Sequence, residues 1–290
     1  MWQLFQFPLC PFSRKVRLVL GEKGVTHELV RENPWERRDE FVDLNPAGET
    51  PVLVDTSAGI TLIGSQPIVE YFDETVDKMP MIHGNSVARA EIRRLVEWFD
   101  EKLFREVVEP LMNERMRKRL VSRESPDTRV LREAMRIANG HLDYMDYLLD
   151  HRRWLAGASL SLADFTAAAQ LSVIDYLGAL DWRGHKQTRD WYAVMKSRPC
   201  FRPLLGERME VIVPPAHYDK VEIPIGLVEK HRPACLAHFS SHPNRHNHRL
   251  KRQNALSNGI EFPHIWDIFV LPLNRNALVA FGVFNCASVV

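Results

Sequence analysis

Hydrophobic and polar positions change their period once along the ordered-looking part of the chain. Short strand-length runs come first: WQLFQF at 2–7 and HELVRE at 27–32. Between them, Val16, Val19 and Leu20 fall on one helical face, and Gly24 supplies a stop, so a helix is predicted over 13–23. A loop around Asn33-Pro34-Trp35 leads to a short helix over 37–44. NPAGETPVLVD then reads as a turn followed by a buried strand at 52–55, and GITLI at 59–63 pairs with it through a turn at Ala58-Gly59. Ser65 is expected to cap a helix running to 75. The order is βαβ, loop-helix, ββα: a small four-stranded α/β unit.

The period becomes helical after the Pro- and Gly-containing stretch DKMPMIHGN. Over 86–120, Ile92, Leu95, Val96, Phe99, Leu103 and Val107 recur at spacings of three and four, with Arg93, Arg94, Glu97 and Glu101 opposite. Further helices are predicted over 128–150, from 161 onward, and over 188–197. Ser161 and Asp164 stand at capping-box spacing and read as structural. No internal repeat is present. The expected organisation is an α/β domain over 1–78, an all-α domain over 86–205, and an extension over 206–290.

Composition narrows the class. The chain has 290 residues, 45% hydrophobic and 26% charged, which suits a soluble globular protein of two domains. A net charge of +1 offers no global field for nucleic acid. No apolar run is long enough to span a membrane, and the start lacks a basic region ahead of an apolar stretch, so neither anchor nor leader is expected. Four scattered cysteines form no CxxC pair and no metal spacing, which points to free thiols in a reducing cytoplasm. From about 221 the character shifts: seven Lys/Arg against four Asp/Glu, and six of the twelve histidines, with no helical or strand period. This tail is expected to be disordered or atypical. Its histidines are joined by no carboxylate or cysteine pattern, so no metal site is expected.

The candidate chemistry sits in the α/β unit. Cys10 precedes a helix start, where unpaired N–H groups favour a thiolate, and Arg14 and Lys15 could add to that. Cys10 is therefore the candidate nucleophile, with Ser13 the weaker one; the alternative for Cys10 is simple packing. A cis peptide before Pro51 would turn the Thr50 backbone outward as an edge for an extended peptide. Ser65 at a helix start would offer donors to a carboxylate, or act as an ordinary cap. Trp35, with Arg37 and Arg38 beside it, is either an interface anchor or an exposed hot spot for a partner.

Four stretches in order, CPFSRKVRLVL, NPAGETPVL, GSQPIVEYFDE and SLSLADFTAAAQL, resemble the glutathione S-transferase family over about residues 1–205. The resemblance implies a thioredoxin-like N-terminal domain followed by an all-α domain, and two-fold dimers. It implies that Pro51 is cis and that Thr50, Pro51 and Ser65 hold glutathione, with Ser65 at the γ-glutamyl carboxylate. It implies no resident cofactor, glutathione being a substrate if it binds.

Two departures matter. Where many transferases carry a cation the chain has Glu49, and where they carry an acid just before the serine it has Gly64. Charge-assisted hydrogen bonds contribute roughly 1.5–3 kcal/mol each, so losing two would weaken glutathione binding by about a hundred-fold or more. Further stretches, among them PWERRDEFVDLNPAGETPVLV and RRLVEWFDEKLFREVVEPL, look like a bacterial cell-division branch of the family that binds the tubulin-like polymer FtsZ. That resemblance implies an FtsZ-filament adaptor in the cytoplasm, at the division site, with Trp35, Arg37 and Arg38 as contacts. A glutathione-dependent thiol transferase using Cys10 is the alternative.

Overall fold

The structure, a computed structural model, describes residues 1–209 and 211–221. The tail from 222 onward, with its six histidines, lies outside the described residues. Strands β1 (Trp2–Gln6), β2 (His27–Arg31), β3 (Val52–Asp55) and β4 (Ile60–Ile63) form one sheet in the order β2-β1-β3-β4. β2 is parallel to β1 because helix α1 (Pro11–Lys23) carries the chain back between them. β3 and β4 are antiparallel, so Leu4 of β1 stands opposite Leu29 on one side and Leu53 on the other. Helices α2 (Asp39–Leu44) and α3 (Ser65–Thr75) complete this unit. It is the thioredoxin-like arrangement expected.

In the α/β unit three helix starts differ from the sequence reading. α1 opens at Pro11, two residues early, because proline suits the first helical position, where no N–H is needed. α2 opens at Asp39, two residues late, because Arg37 has φ 45° and cannot be helical there. Its first turn then carries Asp39 and Glu40, which favour the positive end of the helix dipole. α3 opens at Ser65 itself, with Gly64 in the cap position, so Ser65 is not the cap.

The helical half begins with α4 (Ser86–Glu97), capped by Asn85, whose side chain accepts from the Ala88 N–H. The same rod continues to Ser122 through two π-helical stretches, Trp98–Val108 and Asn113–Ser122, on either side of α5 (Glu109–Met112). Pro110, which has no N–H to close an ordinary turn, sits within α5. Then come α6 (Thr128–His151), α7 (Leu162–Tyr176), α8 (Lys186–Lys196), a 3-10 turn (Pro199–Phe201) and α9 (Arg202–Gly206). Among the described residues no helix is long and apolar enough to cross a membrane.

α7 is buried on every face and forms the axis of the fold. Ala167, Ala168 and Ala169 keep it thin enough for α1 to pack against it. Gly21 of α1 serves a similar purpose, since a Cβ there would lie 3.0 Å from the Cβ of Cys200. The expected capping pair forms at the start of α7. Asp164 accepts from the Ser161 N–H at 2.9 Å, and also from the Leu155 N–H and the Trp191 indole at 3.0 Å each. Residues 214–219, PPAHYD, fold back onto this core. Tyr218 is fully buried, and its hydroxyl donates to the Leu204 carbonyl at 3.2 Å.

Buried His141 of α6 ties two helices together. It accepts from the Trp98 indole at 3.2 Å and donates to Glu106 at 3.1 Å, a pattern that requires the neutral ring. Burial holds its pKa below the ordinary 6.5, against the pull of Glu106. The unfolded chain therefore binds more protons just below that value, and stability falls as pH drops below 6.5. Urea titrations at pH 7.5 and at lower pH should show this loss, and His141→Gln should flatten the slope.

Candidate functional site

Cys10 occupies the cap position of α1, with extended backbone (φ −72°, ψ 116°). Its amide donates to the Phe7 carbonyl at 2.9 Å, and its carbonyl accepts from the Arg14 N–H at 3.0 Å. The half-buried thiol donates to the Thr50 carbonyl at 3.5 Å. The Thr50–Pro51 bond is cis, as expected, which brings that carbonyl up to the start of α1. Cys10 and Thr50 together form the floor of a cleft of about 480 Å³.

The walls come from both halves of the chain. On the sheet side stand Phe7, Pro34, Trp35 and Glu49; on the long helix stand Phe104, Met112, Met116 and Arg117. Phe12 and Phe104 meet across the cleft with centroids 4.7 Å apart, and Phe7 meets Trp35 edge-on at 5.0 Å. Among the described residues the lining holds four carboxylates, the exposed Glu49, Glu101 and Glu109 and the Lys15-paired Asp100, against one cation, Arg117. The helix-side residues escaped the sequence reading. Phe104, Met112 and Met116 stand at helical spacing, but the periodicity singled out the neighbouring face of Phe99, Leu103 and Val107.

Arg14 and Lys15 do not serve the thiol. Arg14 is fully buried and donates to the Pro8 carbonyl (2.7 Å), the Ser172 hydroxyl (2.9 Å) and the Tyr218 hydroxyl (3.1 Å). Lys15 is held by Asp100 at 2.6 Å and Gln66 at 2.8 Å. Both cations instead lock α1 to the helical half, because the buried face of α1 points them there. Ser13 is also fully buried, and its hydroxyl has no hydrogen-bond partner among the described residues. It thus has neither solvent access nor a neighbouring base among the described residues.

Ser65 is largely buried at the first position of α3, beside the cis-proline loop: the Gly64 N–H donates to the Pro51 carbonyl at 3.0 Å. Gly64 has φ 85° and ψ 151°, a region open essentially to glycine alone. An acidic side chain there would strain the backbone. Glu49 is exposed, and its carbonyl accepts from the Asn45 side chain at 2.9 Å.

The Trp35 loop is a closed turn. The Glu36 N–H donates to the Asn33 carbonyl at 2.9 Å, and the Asn33 side chain returns to Glu36 at 2.7 Å. Arg38 is the staple rather than a free cation: it pairs at 2.5 Å with Glu32, which is buried. That pairing holds the Arg38 guanidinium above its ordinary pKa. Arg37 is exposed, lies over Gly48, and has no ion pair among the described residues. Trp35 itself is half-buried, so it presents one edge to Phe7 and another to solvent.

Residues 4–80 match the family model for the glutathione S-transferase N-terminal domain. The chain is 44% identical to FtsZ-localized protein A of Caulobacter vibrioides, over 76% of this chain and 97% of that protein. It superimposes on a glutathione S-transferase from Rhodospirillum rubrum with a TM-score of 0.75 and 45% identity, covering 77% of this chain and all of that one. The FzlA structure from C. crescentus gives a TM-score of 0.74 and 42% identity, over 77% and 99% of the two chains.

Proposed function

The chain belongs to the glutathione S-transferase family, and we propose that within it this protein is a cell-division adaptor that binds FtsZ filaments and has weak or no transferase activity. The observation that carries this reading is the 44% identity extending over 97% of a protein named for its location on FtsZ. The cleft is consistent with it. Glu49 sets a carboxylate where glutathione would need a cation, and Gly64 has no side chain for the ammonium group. Trp35 and Arg37 are the contacts for the filament, and Arg38 shapes their loop. The protein works as a two-fold dimer, for which Tyr147 of α6, 58% exposed, offers aromatic area. A fluorescent fusion should gather with FtsZ at the division site and disperse when FtsZ is depleted; a signal that stays diffuse with FtsZ present would count against the reading.

Weak glutathione binding is checked on glutathione resin. The wild type should be retained poorly. Glu49→Lys should improve retention by about ten-fold, the worth of one charge-assisted contact. Adding Glu at 64 should gain less, because Gly64 has a backbone that a side chain strains.

The second reading rests on Cys10, whose thiol opens into the cleft at a helix start. A thiol transferase would form a mixed disulfide there with glutathione: the thiolate attacks a glutathione disulfide and releases one glutathione thiolate. Turnover that Cys10→Ser abolishes would favour this reading over the adaptor.

A further inference from the structure

The far end of the long helix carries Arg115 and Arg119, and Arg123 follows it as the left-handed cap residue, with φ 56°. Together with Leu177, Ile212 and Val213 they line a separate pocket of about 420 Å³. Arg115 donates to the Leu177 carbonyl, which fixes one guanidinium against the pocket wall. Arg119 and Arg123 are exposed and make no ion pair or hydrogen bond through their side chains among the described residues.

Cations at a helix C-terminus often answer the unpaired carbonyls of the last turn. Here the Lys118 carbonyl is already taken by the Glu124 N–H and the Ser122 hydroxyl. The neighbouring carboxylates are also engaged: Glu114 holds Lys118 at 2.7 Å, and Asp127 holds Arg129 at 3.1 Å. Among the described residues Glu124 is the one carboxylate lining the pocket, against three guanidinium groups. The apolar part of the lining reaches solvent at Val213, which is 80% exposed.

We propose that this pocket is a binding site for an acidic peptide segment bearing apolar side chains, supplied by a protein partner. Guanidinium forks suit carboxylates with bidentate hydrogen bonds. Exposed Val213 gives an apolar side chain somewhere to be buried, which a bare phosphate would not use. The cations are gathered in a concavity rather than spread over a flat face, which favours a peptide over a lipid surface. The site is remote in sequence from the Trp35 loop, and its case does not depend on the filament reading.

The test is fluorescence anisotropy with the full chain and a short labelled peptide of alternating Glu and Leu. Binding should be saturable and should weaken with salt. Arg119→Glu and Arg123→Glu should each weaken it by roughly ten-fold or more, as loss of a charge-assisted contact requires. Arg136→Glu, on α6 and paired with Glu133, should change little. Replacing Leu by Ser in the peptide should also weaken binding. Equal binding by wild type and both pocket variants overturns the proposal. So does a site that the Ser-substituted peptide or inorganic phosphate fills as well as the Leu peptide, because it would then read only charge.

Discussion

Asp164→Ala should lower the unfolding free energy by about 4 kcal/mol, since three buried N–H groups would each lose their acceptor at roughly 1–3 kcal/mol apiece. The three are the amides of Leu155 and Ser161 and the indole of Trp191. Asp164 and Ser161 are fully buried, and Trp191 nearly so, so water cannot take over. Burial pulls the Asp164 carboxyl above its ordinary pKa, while the bonds from Leu155, Ser161 and Trp191 pull it back. The site is costly to build and more costly to break in half. Urea unfolding followed by circular dichroism should show the loss, and the thermal midpoint should drop by roughly 10 °C. A loss below about 1 kcal/mol, typical of a surface change, would mean that the network does not hold α7 in place.

Trp35→Ala should weaken binding to FtsZ filaments by about thirty-fold or more, the usual effect of truncating an aromatic hot spot. The side chain is half-buried, and its packing partner Phe7 belongs to the core, so the far-ultraviolet spectrum should stay unchanged. Arg37→Glu should weaken binding more at low salt than at high salt, because an exposed charge is screened beyond about 10 Å at 0.1 M. Arg38→Ala should act differently. It leaves Glu32 buried without its cation and loosens the loop, so both stability and binding should fall. Cys10→Ser should leave filament binding intact. If Trp35→Ala unfolds the protein, Trp35 is core and the loop is not the contact.

The elements that were legible in the sequence are those written locally. Gly24 after an apolar helix, the Ser161–Asp164 spacing and the Val52 strand all resolve within a few residues. The α/β unit and the helical half followed from period alone. The parts that were not legible depend on distant partners. Arg14 and Lys15 look like cations beside a thiol, yet Ser172, Tyr218 and Asp100 decide where they point. Arg38 looks like a companion to Trp35 until Glu32 is found buried beneath it. The helix-side cleft wall is a hundred residues from Cys10, and nothing local joins Phe104 to Phe12. Gly64 read as a missing acid; its φ of 85° shows a backbone that suits glycine.

Sedimentation of the purified full chain with FtsZ tests the central claim most directly. With GTP present the chain should pellet with the filaments in a saturable manner, and with GDP, when filaments do not form, it should stay in the supernatant. A chain that remains in the supernatant with assembled filaments at every concentration contradicts the adaptor account and moves the Cys10 thiol transferase to first place.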